Sequence, residues 1–121
     1  MQNQVSKVAV YGTLKRGHRA NDMLNSASLV GVGRTALTYR MTDVGFPMLE
    51  RDSAGHPVVV EVYDAPNWDR LDSYEGVPSL YQRHVIDVAM DDGSTEQAYI
   101  YEATDIHGCE VEATNGILNW S

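Results

Sequence analysis

Cysteine is almost missing from this chain: Cys109 stands alone among 121 residues. One thiol excludes an intrachain disulfide and fits a reducing, cytoplasmic setting. Cys109 also lies in a polar tail with no local catalytic motif, which suits an incidental thiol better than a nucleophile. Basic residues are scarce: 9 Lys and Arg against 17 Asp and Glu leave a net charge of -8. That balance excludes the basic face that nucleic acid requires. Lys15, Arg16 and Arg19 gather in one short stretch, so a small anionic ligand remains allowed. No apolar run approaches the ~20 residues of a membrane span. The opening Met-Gln-Asn-Gln-Val-Ser-Lys has no apolar segment of the kind a signal peptide needs. The histidines, His18, His56, His84 and His107, fall in separate segments without ligand spacing. No metal and no cofactor is therefore expected. Repeats, linkers and low-complexity stretches are missing too, and the length fits one domain over residues 1–121.

What is present begins at Val8. The segment Val8-Ala-Val-Tyr-Gly-Thr-Leu-Lys-Arg-Gly17 starts as a buried strand and turns at Gly12. A strand ending in a glycine turn can aim a run of backbone amides, here Gly12, Thr13 and Leu14, at an anion. Gly12 and Gly17 have the GxxxxG spacing of a phosphate loop, but His18-Arg19 stands where Lys and Ser or Thr are required. Nucleotide binding is rejected. A carboxylate is the anion left, and the plain alternative is a tight turn after a strand.

Along the rest of the chain, His18 to Ala27 has apolar residues at helical spacing and predicts a short helix. Leu29–Gly33 and Ala36–Met41 read as strands, with turns at Asp43–Pro47 and Asp52–Pro57. Val58–Tyr63 reads as a central strand interrupted by Glu61, whose orientation the pattern leaves open. Pro66 opens a helix over Asn67–Glu75, stopped by Gly76 and Pro78. Leu80–Met90 and Ala98–Tyr101 read as a strand pair joined by a two-residue Asp92-Gly93 turn. Ile117, Leu118 and Trp120 should tuck the tail against the body. Many short strands with two short helices predict a compact α+β domain with a closed or nearly closed sheet.

One residue in the second helix breaks its pattern. Trp68, Leu71 and Glu75 share a face at i, i+3 and i+7, which places a carboxylate where a hydrophobe is expected. It also sits at the helix C-terminus, where the dipole disfavours an anion by roughly 0.3–1 kcal/mol. Burial and dipole together would raise its pKa and suit it to proton exchange near neutrality. The alternative is a solvated last turn. Asp72, three residues earlier, could complete a two-carboxylate site, although a solvent-facing or locally bonded role is commoner. Tyr81 and Arg83, at i and i+2 of the following strand, could face a cavity together.

These pieces, in this order, resemble a known family. Val10-Tyr-Gly-Thr-Leu-Lys-Arg-Gly17 with Asn21 and Leu24, Phe46-Pro47, Leu71-Asp-Ser-Tyr-Glu-Gly76, Leu80-Tyr-Gln-Arg83 and the tail Trp120 resemble the gamma-glutamylcyclotransferase-like family. The likeness is strongest to its small gamma-glutamylamine cyclotransferase branch. The resemblance implies a small mixed-sheet β-barrel flanked by helices, with a cavity at one end. It implies that Tyr11, Gly12, Thr13 and Leu14 hold the carboxylate end of a gamma-glutamyl substrate or of the product 5-oxoproline, and that Tyr81 lines the cavity; Arg83, on the same strand face, is counted with them as a candidate substrate-binding residue. It implies that Glu75 is the catalytic acid/base, closing the gamma-glutamyl group to 5-oxoproline and releasing a free amine. The expected partner is that small molecule; the sequence does not set the oligomeric state. Val60 stands where the family usually has glycine, and His18-Arg-Ala20 differs from the commoner Gln-Pro form. Both departures keep a second reading in view, a non-catalytic ligand- or partner-binding module on the same fold.

Overall fold

The computed structural model of the protein describes residues 5–120, so the reading of the first four residues lies outside them. The strands are β1 (Lys7–Val10), β2 (Ser28–Thr35), β3 (Tyr39–Asp43), β4 (Pro47–Arg51), β5 (Val59–Asp64), β6 (Tyr81–Met90), β7 (Thr95–Ala103) and β8 (Cys109–Glu110). One α-helix, α1 (Trp68–Glu75), lies between β5 and β6. The strands β1-β5-β2-β6-β7 close into a barrel, and β4-β3-β8 form a separate three-stranded sheet. The β1–β7 pairing is parallel and seals the barrel, whereas β1–β5, β2–β5, β2–β6 and β6–β7 are antiparallel. The mixed barrel expected from the resemblance is therefore present.

Two apolar cores explain why β1, after Lys7, is apolar at three consecutive positions. Ala9 packs with Val60, Val62, Val88, Ala98 and Ile100 in one core. Its neighbours Val8 and Val10 pack on the other side with Leu71, Tyr81 and Tyr101. A strand buried on both faces cannot alternate apolar and polar residues. Leu71, fully buried, is the anchor that seats α1 on this second core. Burying such a side chain is worth roughly 1.5–3 kcal/mol.

The ends of α1 follow local chemistry. The Asn67 side chain accepts the Arg70 N–H at 3.1 Å, so Asn67 caps the helix and Pro66 precedes the cap. The following Gly76 adopts φ +69°, and its N–H and that of Val77 return to Ser73 and Asp72 carbonyls. Glycine takes this left-handed conformation without a steric cost.

Several expectations are corrected. The helix expected over His18–Ala27 is only a 3-10 turn at Asn21–Leu24. The chain before it is spent on loop contacts, with the Ala20 N–H on the Thr13 carbonyl at 2.9 Å, and Ala20 supplies no capping side chain. Four residues, 91–94, lie between β6 and β7: the Met90 N–H donates to the Ser94 carbonyl at 2.8 Å and closes a three-residue loop, 91–93, in which Gly93 takes φ +92°. That is the next commonest hairpin solution after a two-residue turn. Strand β8 pairs with β3 and escaped the sequence reading because two residues carry no periodicity. The tail does pack down: Leu118 is buried and bridges Val58.

Candidate active site

A cavity of about 240 Å³ opens where four chain segments end or begin. Tyr11, Gly12, Thr13 and Leu14 line it as the chain leaves β1; Phe46 and Pro47 enter from the start of β4. Tyr74 and Glu75 come from the end of α1, and Leu80 and Tyr81 from the start of β6. Thus every residue of the predicted site except Arg83 meets at one place, together with Arg19 and Tyr101.

The loop is held from behind. Glu61, the carboxylate whose direction was open, is buried on β5 and accepts the Arg16 N–H at 2.9 Å and the Tyr63 hydroxyl at 3.1 Å. Arg16 adds an Nε contact to the other carboxylate oxygen at 3.4 Å. Asn21 donates to the Leu14 carbonyl at 2.8 Å. Lys15 is buried, donates to Asn119 Oδ1 at 2.9 Å and to the Trp120 carbonyl, and so ties the loop to the tail. Desolvation lowers the Lys15 pKa, opposed by the Glu61 charge. Glycine at position 12 is required by Pro47: a Cβ there would lie 2.4 Å from its Cγ. The close approach expected of this glycine is therefore to a neighbouring ring. With the loop so fixed, the N–H groups of Gly12, Thr13 and Leu14 have no acceptor among the described residues. Three consecutive lining amides without internal partners are what an anion cradle needs.

Opposite them, Glu75 is half-buried in the cavity wall and receives no hydrogen bond from a described residue. The surrounding tyrosines commit their protons elsewhere. Tyr11 donates to the Tyr101 carbonyl at 2.6 Å, Tyr81 to the Pro47 carbonyl at 2.8 Å, and Tyr101 to Asp72 at 2.7 Å. Tyr74 and Thr13 share a hydrogen bond of 2.8 Å between helix and loop. Desolvation without a donor pushes the Glu75 carboxyl up from 4.5 to about 7. Burial, reinforced by the Glu75 charge, raises the Tyr11 and Tyr81 hydroxyls as well, so both stay protonated at neutral pH. Glu75 is then the cavity group with a pKa matched to neutral proton transfer.

Arg83 does not line the cavity. It shares a strand face with Tyr81, but two residues along a strand is roughly 6.6 Å. That step carries it beneath α1, where its Nε meets Asp72 at 3.0 and 3.3 Å. Its guanidinium lies 4.5 Å from the Trp68 ring centre and 4.7 Å from that of Tyr99. Asp72 therefore joins helix, β6 and, through Tyr101, β7, rather than forming a two-carboxylate pair with Glu75. Val60 is also outside the cavity, fully buried in the barrel core. The signal for Glu61 was present in the sequence as a carboxylate inside an apolar strand; that for Asp72–Arg83 was not.

No described group of three His, Cys, Asp or Glu side chains could hold a metal ion. No described helix is long and apolar enough to cross a membrane.

The family model for "Gamma-glutamyl cyclotransferase, AIG2-like" matches residues 8–118. A zebrafish (Danio rerio) gamma-glutamylaminecyclotransferase A is 34% identical over 110 residues, covering 80% of this chain and 68% of that protein. The rat (Rattus norvegicus) gamma-glutamylaminecyclotransferase is 30% identical over 115 residues, covering 80% and 77%. A crystal structure of a mouse (Mus musculus) AIG2-like protein superposes with a TM-score of 0.76 at 28% identity, covering 87% of this chain and 81% of that one. These likenesses support gamma-glutamylcyclotransferase activity in general. A barrel-end cavity joining an amide-lined loop to a helix-end carboxyl, with a family match that spans both, leads to one statement: the chain belongs to the gamma-glutamyl cyclotransferase, AIG2-like family.

Proposed function

We propose that the protein is a cofactor-independent cyclotransferase that closes the gamma-glutamyl group of a gamma-glutamyl-amine or gamma-glutamyl peptide to 5-oxoproline and releases the free amine. The observation that carries this reading is Glu75: an unpartnered cavity carboxyl with a pKa of about 7, facing a loop with three unpartnered amides.

In this reading the amides of Gly12, Thr13 and Leu14 hold the α-carboxylate, while Tyr11 and Tyr81 shape the wall against the folded glutamyl chain. The substrate supplies its own nucleophile. Its α-amino nitrogen forms a bond to the γ-carbonyl carbon while passing a proton to the Glu75 carboxylate. The γ-carbon–nitrogen bond then breaks as Glu75 returns that proton to the departing nitrogen. One carboxyl thus acts as base and then as acid, and the protons balance. Holding the two ends of one molecule together can supply ~7–11 kcal/mol of the barrier in favourable cases, so no protein nucleophile is required. The same cavity accounts for the choice of residue, because a carboxyl at its ordinary pKa would return the proton poorly.

The test is 5-oxoproline release from a panel of gamma-glutamyl compounds, with wild type and Glu75→Gln compared. Turnover by wild type alone supports the proposal. Equal turnover by Glu75→Gln removes Glu75 from the mechanism, and no product from any compound removes the activity.

A further inference from the structure

Three basic residues gather at the loop, and the fold uses them differently. Arg16 is tied to Glu61, and Lys15 to Asn119 and Trp120. Arg19 is exposed, lines the cavity, and has no ion pair with any described acidic residue. Among the described residues it is the one basic side chain in the cavity wall. The glutamyl carboxylate already has the unpartnered amides of Gly12, Thr13 and Leu14, so the cavity carries receptors for two anions. Exposed Leu80 and Tyr74 form the apolar part of the same rim.

A gamma-glutamyl compound bears a second anion only when the leaving amine carries one. We infer that Arg19 is a specificity-determining residue that selects a leaving amine bearing a carboxylate, an α-amino acid in preference to a simple or cationic amine. This inference rests on the cyclotransferase reading and adds to it the class of leaving group. The guanidinium fork can pair a carboxylate through two N–H groups, and hydrogen bonds to charged groups are the stronger kind. A cationic amine would meet the same guanidinium as a like charge, which disfavours it. The apolar rim takes the amino-acid side chain and sets no charge requirement of its own.

The experiment compares kcat/KM for gamma-glutamylalanine and gamma-glutamylethylamine, which differ at the leaving group by that carboxylate alone. Wild type should favour gamma-glutamylalanine by about tenfold, the order expected for one charge-assisted pair. Arg19→Ala should bring the ratio close to one, and Arg19→Lys should keep part of the preference. Thermal unfolding of each variant, matched to wild type, confirms that the fold is kept. An unaltered ratio in Arg19→Ala overturns the inference, as does an equal loss on both substrates, which would assign Arg19 to the glutamyl carboxylate. These results leave the cyclotransferase reading standing. Absence of 5-oxoproline from both substrates with wild type overturns that reading and the inference with it.

Discussion

Glu61 and Glu75 are both carboxylates set against apolar surroundings, and the two flank the same loop. Glu61 lies on β5 with donors on both oxygens: the Arg16 N–H, the Tyr63 hydroxyl and the Arg16 guanidinium. Glu75 ends α1 beside Tyr11, Tyr81 and Tyr101, whose hydroxyls donate to other acceptors. The first carboxylate is fully employed in holding backbone, and the second has no hydrogen-bond donor among the described residues, as the proposed proton transfer requires. Burial alone does not separate a structural acid from a reactive one; the supply of donors does.

Three substitutions sharpen that contrast. Removing the proton carrier should have the largest effect: Glu75→Gln is expected to lower kcat by about 10²–10⁴-fold, the usual range for a general acid–base group. Steady-state assay of 5-oxoproline release gives the number, and residual turnover within threefold of wild type would erase the difference between the two glutamates.

The same variant makes a second, thermodynamic statement. The folded Glu75 carboxyl holds its proton to about 7 while the ordinary value is 4.5. Its pKa is raised on folding, so the native state keeps a proton that the unfolded chain releases. The contribution of Glu75 to stability is therefore greatest below 4.5 and is lost as pH rises through about 7. Glu75→Gln removes that decline. Relative to wild type it should gain on the order of 3 kcal/mol between pH 4 and pH 8. Urea unfolding at the two pH values measures this, and identical slopes for both proteins would contradict it.

Glu61→Ala should act the other way, on structure first. It leaves the part-buried Arg16 N–H without its acceptor and frees the loop, a loss of about 1–3 kcal/mol. Chemical unfolding reads the stability, while kinetics should show KM rising more than kcat falls. Arg83→Lys should be mildest. It keeps the charge but loses the planar stacking on Trp68 and Tyr99, for about 1 kcal/mol in thermal unfolding.

Much of the barrel and of the site could be read from the sequence. Strands β5, β6 and α1 announced themselves through apolar runs, period-2 alternation, and Pro66 and Gly76 at the two ends of the helix. Glu75 stood out because helical periodicity asked for a hydrophobe at its position. What could not be read depends on contacts distant along the chain. Asp72 and Arg83 are unremarkable charges until α1 lies across β6, and the Pro47 ring beside Gly12 comes from another sheet. The same limit applies to His18–Ala27, whose apolar spacing predicts a helix but whose backbone groups are claimed by the loop. Val60 teaches the converse: a departure from the family pattern falls in the barrel core and leaves the cavity wall untouched.

The most direct measurement is a carbon-13 NMR titration of the Glu75 side-chain carboxyl, assigned by its loss in Glu75→Gln. The account predicts a midpoint near 7. A midpoint near the ordinary 4.5 would show a solvated carboxylate and contradict the proposed proton transfer.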